Sequence, residues 1–247
     1  MSGTVGLDDA RGPDGVVLYA VGDVHGRLDL LTAMHARIAA DRERRKAADW
    51  RIIHLGDVVD RGPESKGVID FLLEATSADP RILCLAGNHD LGFVDFLSTA
   101  DPHGLFASFG GAETARSYGT QFTRGRLRFG LGHRALVRRV PAAHVDFLSS
   151  RPLSLSLGDF FFCHAGIRPG VPLDLQDPQD LIWIREPFLG HRELHPKVVV
   201  HGHTPVAEPE LRANRINVDT GAFATGRLTA LVVDGADKEL LVVERSL

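Results

Sequence analysis

Three apolar runs, VVLYAV (16–21), RIIHLG (51–56) and RILCLA (81–86), alternate with two stretches of helical spacing. Leu28, Leu31, Met34 and Ile38 recur on one helical face between Arg27 and about Lys46, and GVIDFLLEA (67–75) reads as a second helix. A β-α-β-α-β order predicts parallel strands joined by crossover helices. From about Leu153 the rhythm changes. LSLSL, FFFCHAG, KVVVHG, RINVDTG, LTALVVDG and ELLVVER are short runs with turn signals between them, which predicts an antiparallel meander. The looser segment 99–150 reads as an insertion or cap within one domain spanning 16–247.

The polar groups are not scattered over this framework. Asp23, Asp57, Asn88, His164 and His203 each stand just after a strand-like run, and open α/β sheets gather their ligands outside the carboxyl ends of strands. IIHLGDVVDRGPES (52–65) is the densest case: Asp57 ends the run, and Asp60 and Arg61 follow between glycines. A plain turn needs one Gly or one Asp. Asp23 and His25, two apart in an extended stretch, can face one way and hold one cation. A lone D-x-H would be as readily a loop; five strand ends carrying carboxylate, amide and imidazole groups form a pattern. That donor mixture suits Mn, Fe or Zn, and two such ions about 3.5–4 Å apart can activate water and clamp a phosphoryl group.

Composition limits the alternatives. A chain of 247 residues, 44% hydrophobic and 24% charged, can bury the core of one α/β domain. A formal net charge of −4 speaks against nucleic acid as the partner, and the apolar runs are too short to span a membrane. The two cysteines, Cys84 and Cys163, lie inside apolar runs and read as reduced core thiols, so a cytoplasmic setting is expected. Residues 1–15 lack the basic and apolar regions of a signal peptide and are expected to form a flexible tail. His54 and His144, in apolar runs, read as structural, whereas His35, His191 and His195 read as solvated surface residues.

GDVHG (22–26), GDVVDRGPES (56–65), GNHD (87–90), HAG (164–166) and HGHTP (201–205) match, in order and spacing, the calcineurin-like metallophosphoesterases. LIWIREPF (181–188) and INVDTGAFATGRLTAL (216–231) extend the resemblance to the phosphoprotein phosphatase branch, its bacterial members in particular. The resemblance implies an αββα sandwich with a central dinuclear metal site. It places Asp23, His25 and Asp57 at one ion and Asp57, Asn88, His164 and His203 at the other, with Mn²⁺ the expected pair and Fe or Zn alternatives. It makes His89 the general acid, Asp60 its orienting partner, and Arg61 and Arg185 the phosphate-binding groups. The reaction it implies is hydrolysis of phosphorylated protein or peptide, on Ser/Thr-phosphate or Tyr-phosphate, by attack of a metal-bridging hydroxide. Asp90, where many phosphoprotein phosphatases have Glu, keeps dinucleoside polyphosphate hydrolysis as the alternative; a phosphate-binding scaffold without catalysis would be expected to have lost one of these groups. Pro205, where broader relatives carry a second His, argues for the protein-phosphatase side.

One stretch is left over. Thr114–Val145 holds seven arginines, Arg116, Arg124, Arg126, Arg128, Arg134, Arg138 and Arg139, and no acidic residue. It reads either as a solvated surface or as an element that recruits acidic substrates.

Overall fold

The computed structural model describes residues 3–122 and 126–245. The first half runs β1 (Val16–Val21), α1 (Leu28–Arg45), β2 (Asp49–His54), α2 (Ser65–Ala78), β3 (Ile82–Cys84) and α3 (Asn88–Thr99). Segment 99–150 contributes α4 (Leu105–Ser108), α5 (Gly111–Ser117), α6 (Arg126–Arg139) and α7 (Ala142–Ser149). There follow β4 (Ser154–Leu157), β5 (Phe160–Cys163), α8 (Pro178–Trp183), β6 (Val198–His201), β7 (Glu210–Leu211) and β8 (Arg215–Asn217). The chain closes with α9 (Ala222–Thr225), β9 (Arg227–Asp234) and β10 (Asp237–Glu244).

Among the described residues the strands form two five-stranded sheets, ordered β10-β9-β1-β2-β3 and β4-β5-β6-β8-β7. The strand period of two sorts the side chains into layers. Val17, Tyr19 and Val21 of β1 pack with Leu30, Leu31, Met34 and Ile38 of α1 on the outer face of the first sheet. Leu18 and Ala20 turn the other way and meet Phe160, Phe162, Val198 and Val200 between the sheets. Phe161, Cys163 and Val199 face outward again, against Leu181, Ile184 and Phe188 in and after α8. This is an αββα sandwich. Each fully buried Phe or Leu contributes about 1.5–3 kcal/mol relative to its exposed state.

The first three strands are parallel, as their crossover helices require. The second half is not a meander. In the second sheet β5, β6 and β8 run parallel, and β4 and β7 pair antiparallel at its two edges. FFFC and VVVH are buried at every position because both faces are covered, whereas a meander with one wet face would alternate. The last two runs form a hairpin that joins the first sheet beside β1.

The N-terminal stretch is also corrected over residues 3–15. The backbone N–H groups of Val5, Leu7 and Gly12 donate to His195, Ala213 and Gly235 carbonyls at 3.1, 2.8 and 2.9 Å. Ala10 is fully buried, and Val5 and Leu7 pack on the core between the sheets. Two histidines read as solvated are covered as well. His195 is buried and stacked on Phe188, with ring centroids 6.0 Å apart, and His35 places its Nε2 3.1 Å from that of buried His54.

Candidate metal centre

β1, β2, β5 and β6 end at one rim of the sandwich, and the loops that leave them converge there. Among the described residues, five of the seven non-glycine residues with positive φ stand in these loops: His25, Asp57, Asp60, Arg61 and His203. Such conformations cost of order 1–3 kcal/mol each and persist only where the surroundings enforce them. Glycines make the approach possible. A Cβ on Gly87 would overlap Asp57, and one on Gly202 would overlap the Asp23 carboxylate.

Two groups of potential ligands share Asp57. His25 Nε2 and His164 Nε2 lie 3.5 and 3.4 Å from Asp57 Oδ2. Asp57 Oδ1 accepts the His89 N–H at 2.9 Å. His25 Nδ1 lies 2.7 Å from the Val59 carbonyl and His164 Nδ1 3.0 Å from that of Leu55, so each ring donates from Nδ1 and turns a bare Nε2 inward. His203 Nδ1 lies 2.9 Å from Asn88 Oδ1 and 3.2 Å from His164 Nε2, which is itself 2.9 Å from Asn88 Oδ1. The amide oxygen is an acceptor, so a neutral His164, with no proton on Nε2, would turn an unshared pair toward it. A cation among them resolves that conflict. Asp23 accepts the His203 N–H at 3.2 Å and flanks the group.

Charge follows geometry. Burial holds His25 and His203 neutral, lowered to about 3, which is the state a ligating imidazole needs. Burial also disfavours a charged His164, yet Asp57 and Asp23 outweigh it and push that ring up to about 10. The carboxylates thus favour positive charge at this point of the site. Burial raises the Asp23 carboxyl well above the usual range, and the neighbouring Asp219 adds to the shift.

Beside this centre, His89 Nδ1 lies 2.8 Å from Asp60 Oδ2, and His89 Nε2 3.0 Å from Arg61 Nη2. The guanidinium only donates, so in this arrangement His89 carries its proton on Nδ1. Arg61 also sits over the Phe223 ring, 4.7 Å from its centroid. Arg185 is exposed after α8, where its charge helps lower His203, and Trp183 lies with its ring centroid 6.1 Å from that of His203. The structure thus brings all ten sequence-selected residues to one rim.

The family model for calcineurin-like phosphoesterases matches residues 16–228. The chain belongs to the calcineurin-like phosphoesterases. A relative from Bacillus thuringiensis (strain Al Hakam), named bis(5'-nucleosyl)-tetraphosphatase PrpE (asymmetrical), is 26% identical over 237 residues, covering 85% of this chain and 88% of that protein. A solved structure of a candidate diadenosine tetraphosphatase superposes with TM-score 0.66 at 19% identity, covering 93% of this chain and 95% of the other. A protein serine/threonine phosphatase from Saccharomyces cerevisiae gives TM-score 0.57 at 15% identity, covering 94% and 81%. This phosphoesterase therefore shares its fold with enzymes named for two different substrates. The family works with divalent metal ions, and two buried groupings, His25 with Asp57 and His89, and Asp57 with His164 and His203, fit such ions.

Three residues of this phosphoesterase escaped the sequence reading. Asp219 is buried just after β8, and burial followed by the charge of Asp57 raises its carboxyl to about 6. Its strand-end position was the signal that could have found it. Ser65, at the end of the GDVVDRGPES motif, and Thr114, 54 residues along the chain, support Asp60, and no local pattern announces Thr114. Asp90, the departure from the usual Glu, accepts the Val58 and Gly87 N–H groups at 2.9 Å each and ties the loop after β2 to the start of α3. It is scaffold, so its identity says little about substrate. In the arginine-rich stretch, Arg124 and the side chains of Arg126 and Arg128 lie outside the described residues. Arg116 pairs with Glu113, and Arg134, Arg138 and Arg139 are exposed.

Proposed function

We propose that this chain is a metal-dependent phosphomonoesterase acting on phosphorylated proteins or peptides, with Ser/Thr-phosphate as the main substrate and Tyr-phosphate also accepted. Asp23, His25 and Asp57 would hold one divalent ion, and Asp57, Asn88, His164 and His203 the other, with Mn²⁺ favoured by the imidazole share. Such ions, when bound, supply Lewis-acid stabilisation of phosphoryl oxygens and lower the pKa of water. The protein's own groups do the rest. Arg61 and Arg185 bind the phosphoryl oxygens through guanidinium forks. Arg61 drawn onto a phosphate would free His89 Nε2 to take up a proton from solvent, and that proton is the one the ring gives to the leaving oxygen. Asp60 holds the opposite ring nitrogen and stabilises the charged imidazole.

The observation that carries the peptide reading is the cavity beside Asn88. It encloses about 330 Å³ between α3, α4 and α8, with Phe96, Leu105 and Trp183 among its walls and Asp95 and Asp101 among its polar groups. An apolar cleft bearing two carboxylates accommodates a peptide side chain and repels a run of phosphates. Among the described residues, Arg27, Arg168 and Arg215 are tied to Asp29, Asp180 and Glu210. The names of the curated relatives favour a second reading, hydrolysis of dinucleoside polyphosphates. Buried Cys84 and Cys163, both free thiols, support a reducing compartment such as the cytoplasm. No helix among the described residues is long and apolar enough to cross a membrane.

A parallel assay on p-nitrophenyl phosphate, phosphopeptides and diadenosine tetraphosphate separates the two. The peptide reading expects kcat/KM at least about tenfold higher for a phosphopeptide than for the dinucleotide, a barrier difference near 1.4 kcal/mol. The opposite ranking makes the dinucleotide the substrate.

A further inference from the structure

Segment 99–150 returns to the site at α5. Thr114 is fully buried there, with its Oγ1 2.8 Å from Asp60 Oδ1, 2.9 Å from the Asp60 backbone nitrogen and 2.9 Å from Ser65 Oγ. Proton accounting leaves one arrangement. A threonine hydroxyl has one proton to give, and an ionised carboxylate can only accept, so Thr114 donates to Asp60 Oδ1. The Asp60 N–H and the Ser65 hydroxyl then donate to Thr114. Asp60 Oδ2 takes its bond from His89 Nδ1 at 2.8 Å. Thr114 and His89 thus satisfy the two oxygens of one buried carboxylate.

A second contact comes from the same turn. The Arg61 N–H donates to the Gly110 carbonyl at 3.1 Å, and a Cβ on Gly110, whose φ is +107°, would come within 2.6 Å of that nitrogen. Asp60 and Arg61 both hold left-handed backbone, with φ of 69° and 66°. Thr114 and Gly110 each take the N–H of one of these two residues, which is how the surroundings enforce a strained pair.

We propose that Thr114 is a positioning residue: its hydroxyl orients the Asp60 carboxylate and, through it, the His89 ring and tautomer, without touching substrate. The role rests on His89 acting as the acid. Deleting the hydroxyl leaves a buried carboxylate oxygen unsatisfied, and the carboxylate is then free to leave the plane that serves His89. Segment 99–150 is, on this view, part of the catalytic support and not only a surface insertion.

Thr114→Val removes the hydroxyl at nearly constant shape, and Thr114→Ser keeps it. The valine variant should lower kcat on a phosphoserine peptide about 10- to 100-fold with little change in KM, and lose much less on p-nitrophenyl phosphate. The serine variant should recover most of that loss. In a His89→Asn background, Thr114→Val should cost nothing further, since both act through one group. Thr114→Cys, of similar size with a weaker donor, replaces the valine variant in this series if the latter does not fold. Equal losses on both substrates, a serine variant as impaired as valine, or an additional loss in the His89→Asn background each overturn the role. If His89→Asn alone shows no dependence on the leaving group, the acid reading falls and the Thr114 role with it. A normal His89→Asn result beside an unaffected Thr114→Val overturns the Thr114 role alone.

Discussion

His89→Asn should cut kcat on a poor leaving group such as a serine alkoxide by roughly 10²–10⁴-fold while both ions stay bound. On the proposed assignment the ring ligates neither ion, although it lies beside His25 and Asp57, and its backbone N–H, which carries the bond to Asp57 Oδ1 at 2.9 Å, survives the change. What the variant loses is a group held by Asp60 at one nitrogen and aimed past Arg61 at the other. An alkoxide departs readily only when protonated, whereas an activated phenoxide needs little help. The loss should therefore shrink on activated aryl phosphates. A loss of the same size on both classes would assign His89 a binding role.

His203→Ala should release metal and lower kcat/KM by about 100-fold or more, because ions in such a site contribute several kcal/mol of charge stabilisation. His201→Ala should keep both ions. The two rings stand two residues apart and differ in every contact. His203 is held in left-handed backbone at φ 66°, with Nδ1 between Asn88 Oδ1 and His164 Nε2. His201 closes β6, fully buried, with Nδ1 3.0 Å from the Gly202 carbonyl and Nε2 3.4 Å from Arg215 Nη1. Its loss leaves a cavity under Phe188, whose ring centroid is 5.0 Å away, and costs stability rather than metal. Equal metal loss in the two variants, read by elemental analysis against protein concentration, refutes the distinction.

The parts of this molecule that were legible in the sequence obey short-range rules. Helical spacing from Leu28 to Ile38 and the alternation of strand and helix gave the parallel β1–β3 unit, and a polar residue after an apolar run marked the rim. The parts that were not legible depend on partners distant in the chain. FFFC and VVVH look alike whether a run is buried by a parallel neighbour or by a second sheet, so the direction of β5, β6 and β8 needed the three-dimensional arrangement. Thr114 meets Asp60 across 54 residues, a contact that no periodicity encodes. The apolar residues of 3–15 are too few to form an element, yet enough to seal the edge of the inter-sheet core. Asp219, which follows the run RINV, obeys the same strand-end rule as Asp23 and Asp57.

Metal content and activity, measured together on one preparation, bear most directly on the dinuclear site. As purified or reconstituted, the protein should hold about two divalent ions per chain, and exhaustive chelation should abolish hydrolysis of p-nitrophenyl phosphate. Mn²⁺ should restore the apoprotein better than Mg²⁺, because His25, His164 and His203 offer imidazole nitrogen, which the harder and more strongly hydrated Mg²⁺ accepts poorly. Full activity in a preparation shown by elemental analysis to be free of metal would contradict the account.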